Sequence, residues 1–219
     1  MNETSNYNPI SALRTGSLGT SNESKKRKIT WSSEVEGREA KKKADGGLFD
    51  RLIHLAKQGY EINTDFAIWH FEEALKLNVD IDAKCPVWLQ LGDAYMRKQQ
   101  DAKAIGVFRK ALARHQPPMD RHHTYVKLGY CYSSLENHSA AIKAWSEALE
   151  FPMLEGPKSR ILRNMAISHQ ELGEWPSAIK LFKEALECKE ISDADRAMCL
   201  EELQKSEKHA REMQRGIAI

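Results

Sequence analysis

The sequence predicts an all-α fold of tandem helix-turn-helix units behind an N-terminal tail. Three observations predict it. One apolar frame repeats at a fixed interval. Helix formers dominate and no segment shows strand-like alternation. Prolines and a glycine cluster between the periodic segments, where they interrupt helices.

The frame is clearest as Trp88-x-x-Leu91-Gly92-x-x-Tyr95 followed by Ala104-x-x-x-Phe108-x-x-Ala111. It returns 37 residues on as Tyr125, Leu128, Gly129, Tyr132, Ala141, Trp145 and Ala148. After another 37 it reads Leu162, Met165, Ala166, His169, Ala178, Phe182 and Ala185. Run backwards, it lands on Ala67, Phe71 and Ala74. Such a period marks stacked supersecondary units, none of which buries its apolar face alone. The small residues Gly92, Gly129 and Ala166 are expected where paired helices come closest. Phe108, Trp145 and Phe182 are expected to fill the space between units.

In chain order, residues 1–45 are rich in Ser, Asn, Thr, Gly and charge and poor in aliphatics, so a disordered tail is expected. Residues 46–191 divide into four units, 48–84, 85–121, 122–158 and 159–191. The first is weakest: Leu55 holds the glycine place, and its first helix is expected at 47–58. Residues 192–215 read as a capping helix, begun by Ser192 with Asp195 three residues on. After Leu203 it turns strongly polar, as the exposed end of a stack requires.

This frame resembles the tetratricopeptide repeat family over roughly residues 48–188. The Trp88 unit matches the family signature except for its closing proline, since Pro117 falls one place late. The resemblance implies a right-handed solenoid that binds other proteins and carries no catalysis of its own. The period exceeds the family's 34. The extra residues are expected between units, near 77–85, 113–121 and 150–158, as loops projecting from one edge.

The resemblance also implies that each unit's first helix lines a concave groove. The inward positions are Leu89, Asp93 and Met96, then His123, Val126, Tyr130 and Ser133, then Arg160, Arg163, Ile167 and Gln170. An apolar floor with a basic end suits a peptide segment of a protein partner. Arg160 and Arg163 suit its carboxylates or phosphates. Some family members clamp acidic chaperone tails with Lys, Asn and Arg on these helices. Here those places hold Leu89, Asp93, Lys127, Arg160 and Asn164, or one unit earlier Leu52, Ala56, Gln90, His123 and Lys127. Neither set forms the clamp, which disfavours a co-chaperone.

Charge is unevenly spread. Residues 1–45 hold nine Lys/Arg against six Asp/Glu, and the rest 24 against 25. Lys25-Lys26-Arg27-Lys28 and, twelve residues on, Lys41-Lys42-Lys43 are spaced like a bipartite nuclear localisation signal. Nucleus or cytoplasm is therefore the expected location. The alternative use of the tail is RNA contact, the repeats then acting as the adaptor. Trp31 in the tail is a candidate docking residue.

No phosphate loop, dinucleotide fingerprint or metalloprotease motif occurs, and the four cysteines are scattered. No enzyme, cofactor or metal is expected. His122-His123 diverge by about 100° on a helix, so they make a poor ligand pair. No apolar stretch reaches membrane-spanning length.

Overall fold

The computed structural model describes residues 21–114, 117–151 and 155–215, with side chains placed from 34 onward and, after the last gap, from 158. Two compact units divide after Asp45. The first helix is α1 (Ser21–Gly59). The described part of the first unit begins in helix at Ser21. Residues 34–44 are exposed all round, so burial does not hold this helix. Composition does: Glu34/Arg38 and Glu39/Lys43 stand at favourable spacing among good helix formers. Residues 1–20 lie outside those described.

The second unit, from Gly46, is built of helix pairs. The end of α1 is followed by α2 (Thr64–Lys76). Then come α3 (Ile81–Arg97) with α4 (Asp101–Leu112), and α5 (Pro118–Ser134) with α6 (His138–Leu149). The last pair is α7 (Glu155–Glu171) with α8 (Trp175–Glu187), and α9 (Asp193–Gln214) closes the stack. Each second helix also packs on the next first helix: α2 on α3, α4 on α5, α6 on α7 and α8 on α9.

The extra residues of the long period do not make loops. They lengthen the first helices: α3, α5 and α7 each have 17 residues. Proline permits this because of where it falls. Pro118 sits in the first turn of α5, where no N–H partner is lost. Pro86 lies inside α3 and removes one bond without ending the helix.

Phe71, Phe108, Trp145 and Phe182 are buried at the same place in four successive second helices. Each contributes about 1.5–3 kcal/mol by leaving water. Phe108, Trp145 and Phe182 were expected between units, and Phe108 shares a buried cluster with Leu128, and Trp145 one with Ile161 and Met165, of the following unit. Phe108 and Trp145 also fill the inside of their own unit. A Cβ on Gly92 would run into the Phe108 ring, and one on Gly129 into the Trp145 indole. The Trp145 Nε1–H also donates to the Val126 carbonyl at 3.2 Å.

The turns inside the units repeat as faithfully as the core. Gln99, Glu136 and Gly173 take φ of 56°, 57° and 72°. The next residue's N–H returns to Tyr95, Tyr132 and His169 carbonyls at 2.9, 2.9 and 2.8 Å. The left-handed residues themselves donate to Met96, Ser133 and Gln170 at 2.9, 3.0 and 2.8 Å. This double closure is a Schellman ending. The first pair departs from it. Ile62 and Asn63 both donate to the Gly59 carbonyl, at 3.1 and 2.8 Å. Asn63 then caps α2, accepting from the Asp65 and Phe66 amides at 3.1 Å. The register of α1 shifts by one as a result: Ala56 is the buried small residue, while Leu55 is exposed.

Candidate binding groove

The inward face is built from the first helices. Tyr130 on α5 is 38% exposed, and its ring meets Trp145 edge-on at 5.7 Å and 77°. Trp145 is itself fixed by its bond to Val126. The tyrosine is thus an aromatic surface held from behind. Beside it Lys127 reaches back one unit to Asp93, at 2.6 Å, both half-buried. Leu89, Val126 and Ile167 are half-buried, and His123 and Arg160 are exposed.

Arg163 is already engaged. Its guanidinium pairs with Asp195 on α9, with 14% and 16% of the two side chains exposed. Arg163 also lies 3.9 Å from the Met198 sulfur. Gln170 donates to Ser206 at 2.8 Å on the same helix. The basic end of the groove is therefore partly consumed by the closing helix. Arg160 forms no ion pair among the described residues, and it remains the exposed cation at that end.

Toward the first unit the groove deepens into a cavity of about 270 Å³ between α1, α2 and α3, lined by Lys57, Tyr60, Glu61, Phe71, Gln90 and Asp93. Arg97 closes one side, pairing with Glu61 at 2.9 Å and stacking over Tyr60 at 5.2 Å. Burial, and next the negative charge of Asp93, push the Tyr60 hydroxyl above its ordinary range. It stays a neutral donor and acceptor. The Gln90 side-chain oxygen is buried with no partner among the described residues. An orphaned acceptor of this kind costs about 1–3 kcal/mol.

No cluster of three or more His, Cys, Asp or Glu among the described residues could hold a metal. His122 Nδ1 bonds the Ala148 carbonyl at 2.9 Å, while His123 is exposed beside it. Burial, then the charge of Asp101, pushes the Cys131 thiol up to about 12. No helix among the described residues is long and apolar enough to cross a membrane.

Sequence profiles described as tetratricopeptide repeat match residues 87–120, 122–151 and 160–192. The chain belongs to the tetratricopeptide repeat family. Among solved structures it resembles MamA, with 24% identity, 78% of this chain and 96% of that chain covered, and a TM-score of 0.56. It also resembles YrrB, described as a repeat protein with an unusual peptide-binding site, at 18% identity, 73% and 76% coverage and TM-score 0.59. A tetratricopeptide repeat protein of Parabacteroides merdae shares 18% identity over 77% and 64%, with TM-score 0.59. At these identities the likeness is one of fold. No curated protein matches the chain.

His123, Val126, Tyr130 and Ser133 follow one another at helical spacing along α5. Leu89 and Asp93 line the side nearer the cavity. Arg163 turns away to α9. Reading the sequence alone missed Tyr60 and Lys57, because the shifted register of α1 hides which of its residues face inward, and it named Gln90 only as a place of the absent clamp. The tail residues are placed only in part. Lys41, Lys42 and Lys43 are exposed on α1. The side chains of Lys25, Lys26, Arg27, Lys28 and Trp31 lie outside the described residues.

Proposed function

We propose that the chain is a scaffold that docks a peptide segment of a protein partner along the inner face of α3, α5 and α7, within a larger nuclear assembly. As a tetratricopeptide repeat solenoid it is a protein-interaction scaffold in kind. The observation that carries the peptide reading is Tyr130, a large exposed ring pre-organised by Trp145. A rigid aromatic at the centre of a groove is where binding energy concentrates. The adjoining cavity supplies an unpaired acceptor, Gln90, for a donor of the same segment. The two basic clusters support the nuclear destination.

Site-specific photo-crosslinking tests this reading. A benzophenone amino acid at position 130 in the full chain should capture one partner segment in cells. The same group at Lys143, exposed on a second helix, should not. Tyr130→Ala should weaken the captured pair by about 2 kcal/mol or more. Capture from position 143 alone would overturn the proposal. Replacing Lys41, Lys42 and Lys43 with alanine should move a fluorescent fusion out of the nucleus, and an unchanged distribution would remove the nuclear part.

A further inference from the structure

Lys158, near the start of α7, pairs with Glu184 on α8 at 3.7 Å. Two periods earlier the same two places hold Lys84 on α3 and Lys110 on α4. The acid's place is Glu73 in the first unit, Glu147 in the third and Glu184 in the fourth. Lys110 thus reverses a charge that the other three units share. Neither Lys84 nor Lys110 forms an ion pair among the described residues, and Glu147 on α6 pairs with neither. Lys84 is half-buried, and its ammonium donates to the Leu75 carbonyl in the last turn of α2, at 2.9 Å. That bond fixes the ammonium and leaves its charge without a carboxylate.

Both lysines line a hollow of about 410 Å³ where α2 and α4 pack on α3. Ile81, Trp88 and Val107 give it an apolar floor, and Ile81 is 39% exposed. Lys76 lines it as well. The one carboxylate in the lining, Glu72, is taken by the Tyr95 hydroxyl. Lys103 stands over the Tyr95 ring at 5.4 Å. The remaining acids of these helices are committed or turned aside. Glu73 pairs with Lys76. Asp80 caps α3, accepting from the Asp82 amide at 3.1 Å. Asp82 stands about 200° round the helix from Lys84 and does not line the hollow. No lining residue is shared with the cavity of the inner groove.

We propose that this hollow docks an acidic segment of a partner protein, with an apolar side chain on Ile81 and Val107 and a carboxylate at Lys84 and Lys110. The stack supplies the precedent for the charge. In the fourth unit the carboxylate at this place is the chain's own Glu184, and it meets Lys158. In the second unit the chain provides cations at both places, so the carboxylate comes from outside. A half-buried ammonium favours such a counter-charge, since desolvation weakens its hydration. The floor sets the rest of the occupant. An apolar surface beside the lysines suits a peptide side chain, whereas nucleic-acid phosphates need no such floor.

The test uses the full chain and synthetic peptides of about eight residues, long enough to cross the hollow when extended. One carries leucine and phenylalanine at its centre with glutamates on either side, and a matched peptide carries glutamines instead. By fluorescence anisotropy the glutamate peptide should bind at least about tenfold more tightly. Lys110→Glu installs the acid that the other three units carry, so the fold is kept and a pair with Lys84 takes the partner's place. It should weaken the glutamate peptide by about tenfold or more while the melting temperature holds. Ile81→Ser should weaken it by about threefold or more. Tyr130→Ala should leave this binding unchanged, which separates it from the inner groove. The proposal is overturned if the two peptides bind equally or not at all, or if binding survives Lys110→Glu in a folded chain. It is overturned also if what Lys110→Glu abolishes is self-association or a tighter binding of polyuridylate, since the occupant would then be a second copy or a nucleic acid.

Discussion

The indole of Trp145 occupies the space that any side chain at Gly129 would need. The two residues lie on paired helices of one unit, and the ring is locked by its bond to Val126. Gly129→Ala should therefore destabilise the fold by about 1–3 kcal/mol, and Gly129→Leu by more. Gly106 is the control. It is exposed in α4 with open space around it, so Gly106→Ala should stabilise by about 0.5–1 kcal/mol. Urea denaturation of the two alanine variants should show opposite signs.

The turn residues make a second prediction. Gln99 and Glu136 carry side chains in a backbone region that costs an L-residue about 1–2 kcal/mol. Glycine there removes that cost and adds about 0.4–1 kcal/mol of unfolded-chain entropy to be lost. Gln99→Gly and Glu136→Gly should each raise stability by about 0.5 kcal/mol net. Gly173→Ala should lower it by about 1–2 kcal/mol. Thermal melts of the three variants check the order.

Arg163 and Asp195 make a third. The pair is mostly buried, so removing one partner strands a charge. Asp195→Ala should cost about 2 kcal/mol and loosen α9, seen as faster amide exchange over 193–214. Replacing both residues should cost less than the sum of the single changes. An additive result would show the pair to be incidental.

Thiol chemistry supplies a fourth. Cys85 is the most accessible of the four cysteines. Burial, and then Asp101, raises Cys131 to about 12 from an ordinary value near 9. Cys131 is protonated in the folded state where the unfolded chain would ionise. Its contribution is complete below pH about 9 and is lost as pH rises toward about 12. Iodoacetamide at pH 8 should label Cys85 first and Cys131 only on unfolding. Cys131→Ala should flatten the alkaline loss of stability, measured by denaturation across that window.

Much of this molecule was legible because its frame repeats a physical requirement. Gly92 and Gly129 were legible as places of close helix approach, but that the rings they make room for are Phe108 and Trp145 of the same unit was not. The first unit was misread because its small residue, Ala56, stands 11 positions before Ala67, where Gly92 stands 12 before Ala104. No composition signal reports such a shift, yet it moves every side chain of α1 by about 100°. The extra residues of the period were assigned to loops because proline was read as a helix breaker. Pro118 instead starts a helix, and Pro86 is tolerated inside one. The engagement of Arg163 by α9 depends on packing between helices, and pairing over that distance leaves no trace in local pattern.

Four of the polar links between units share one reach. Lys98–Asp65, Lys127–Asp93, Ser134–Asp101 and Arg163–Asp195 each join residues 32 to 34 positions apart. Every such link ties a unit to its immediate neighbour. Structure can therefore start in any well-formed pair and spread outward, and loss of structure begins at the ends. Low sequence separation also favours fast folding. A bound segment spanning α3 to α7 would join three units that the chain connects only in series. Its protection against exchange should extend over all three pairs, well beyond the residues it touches.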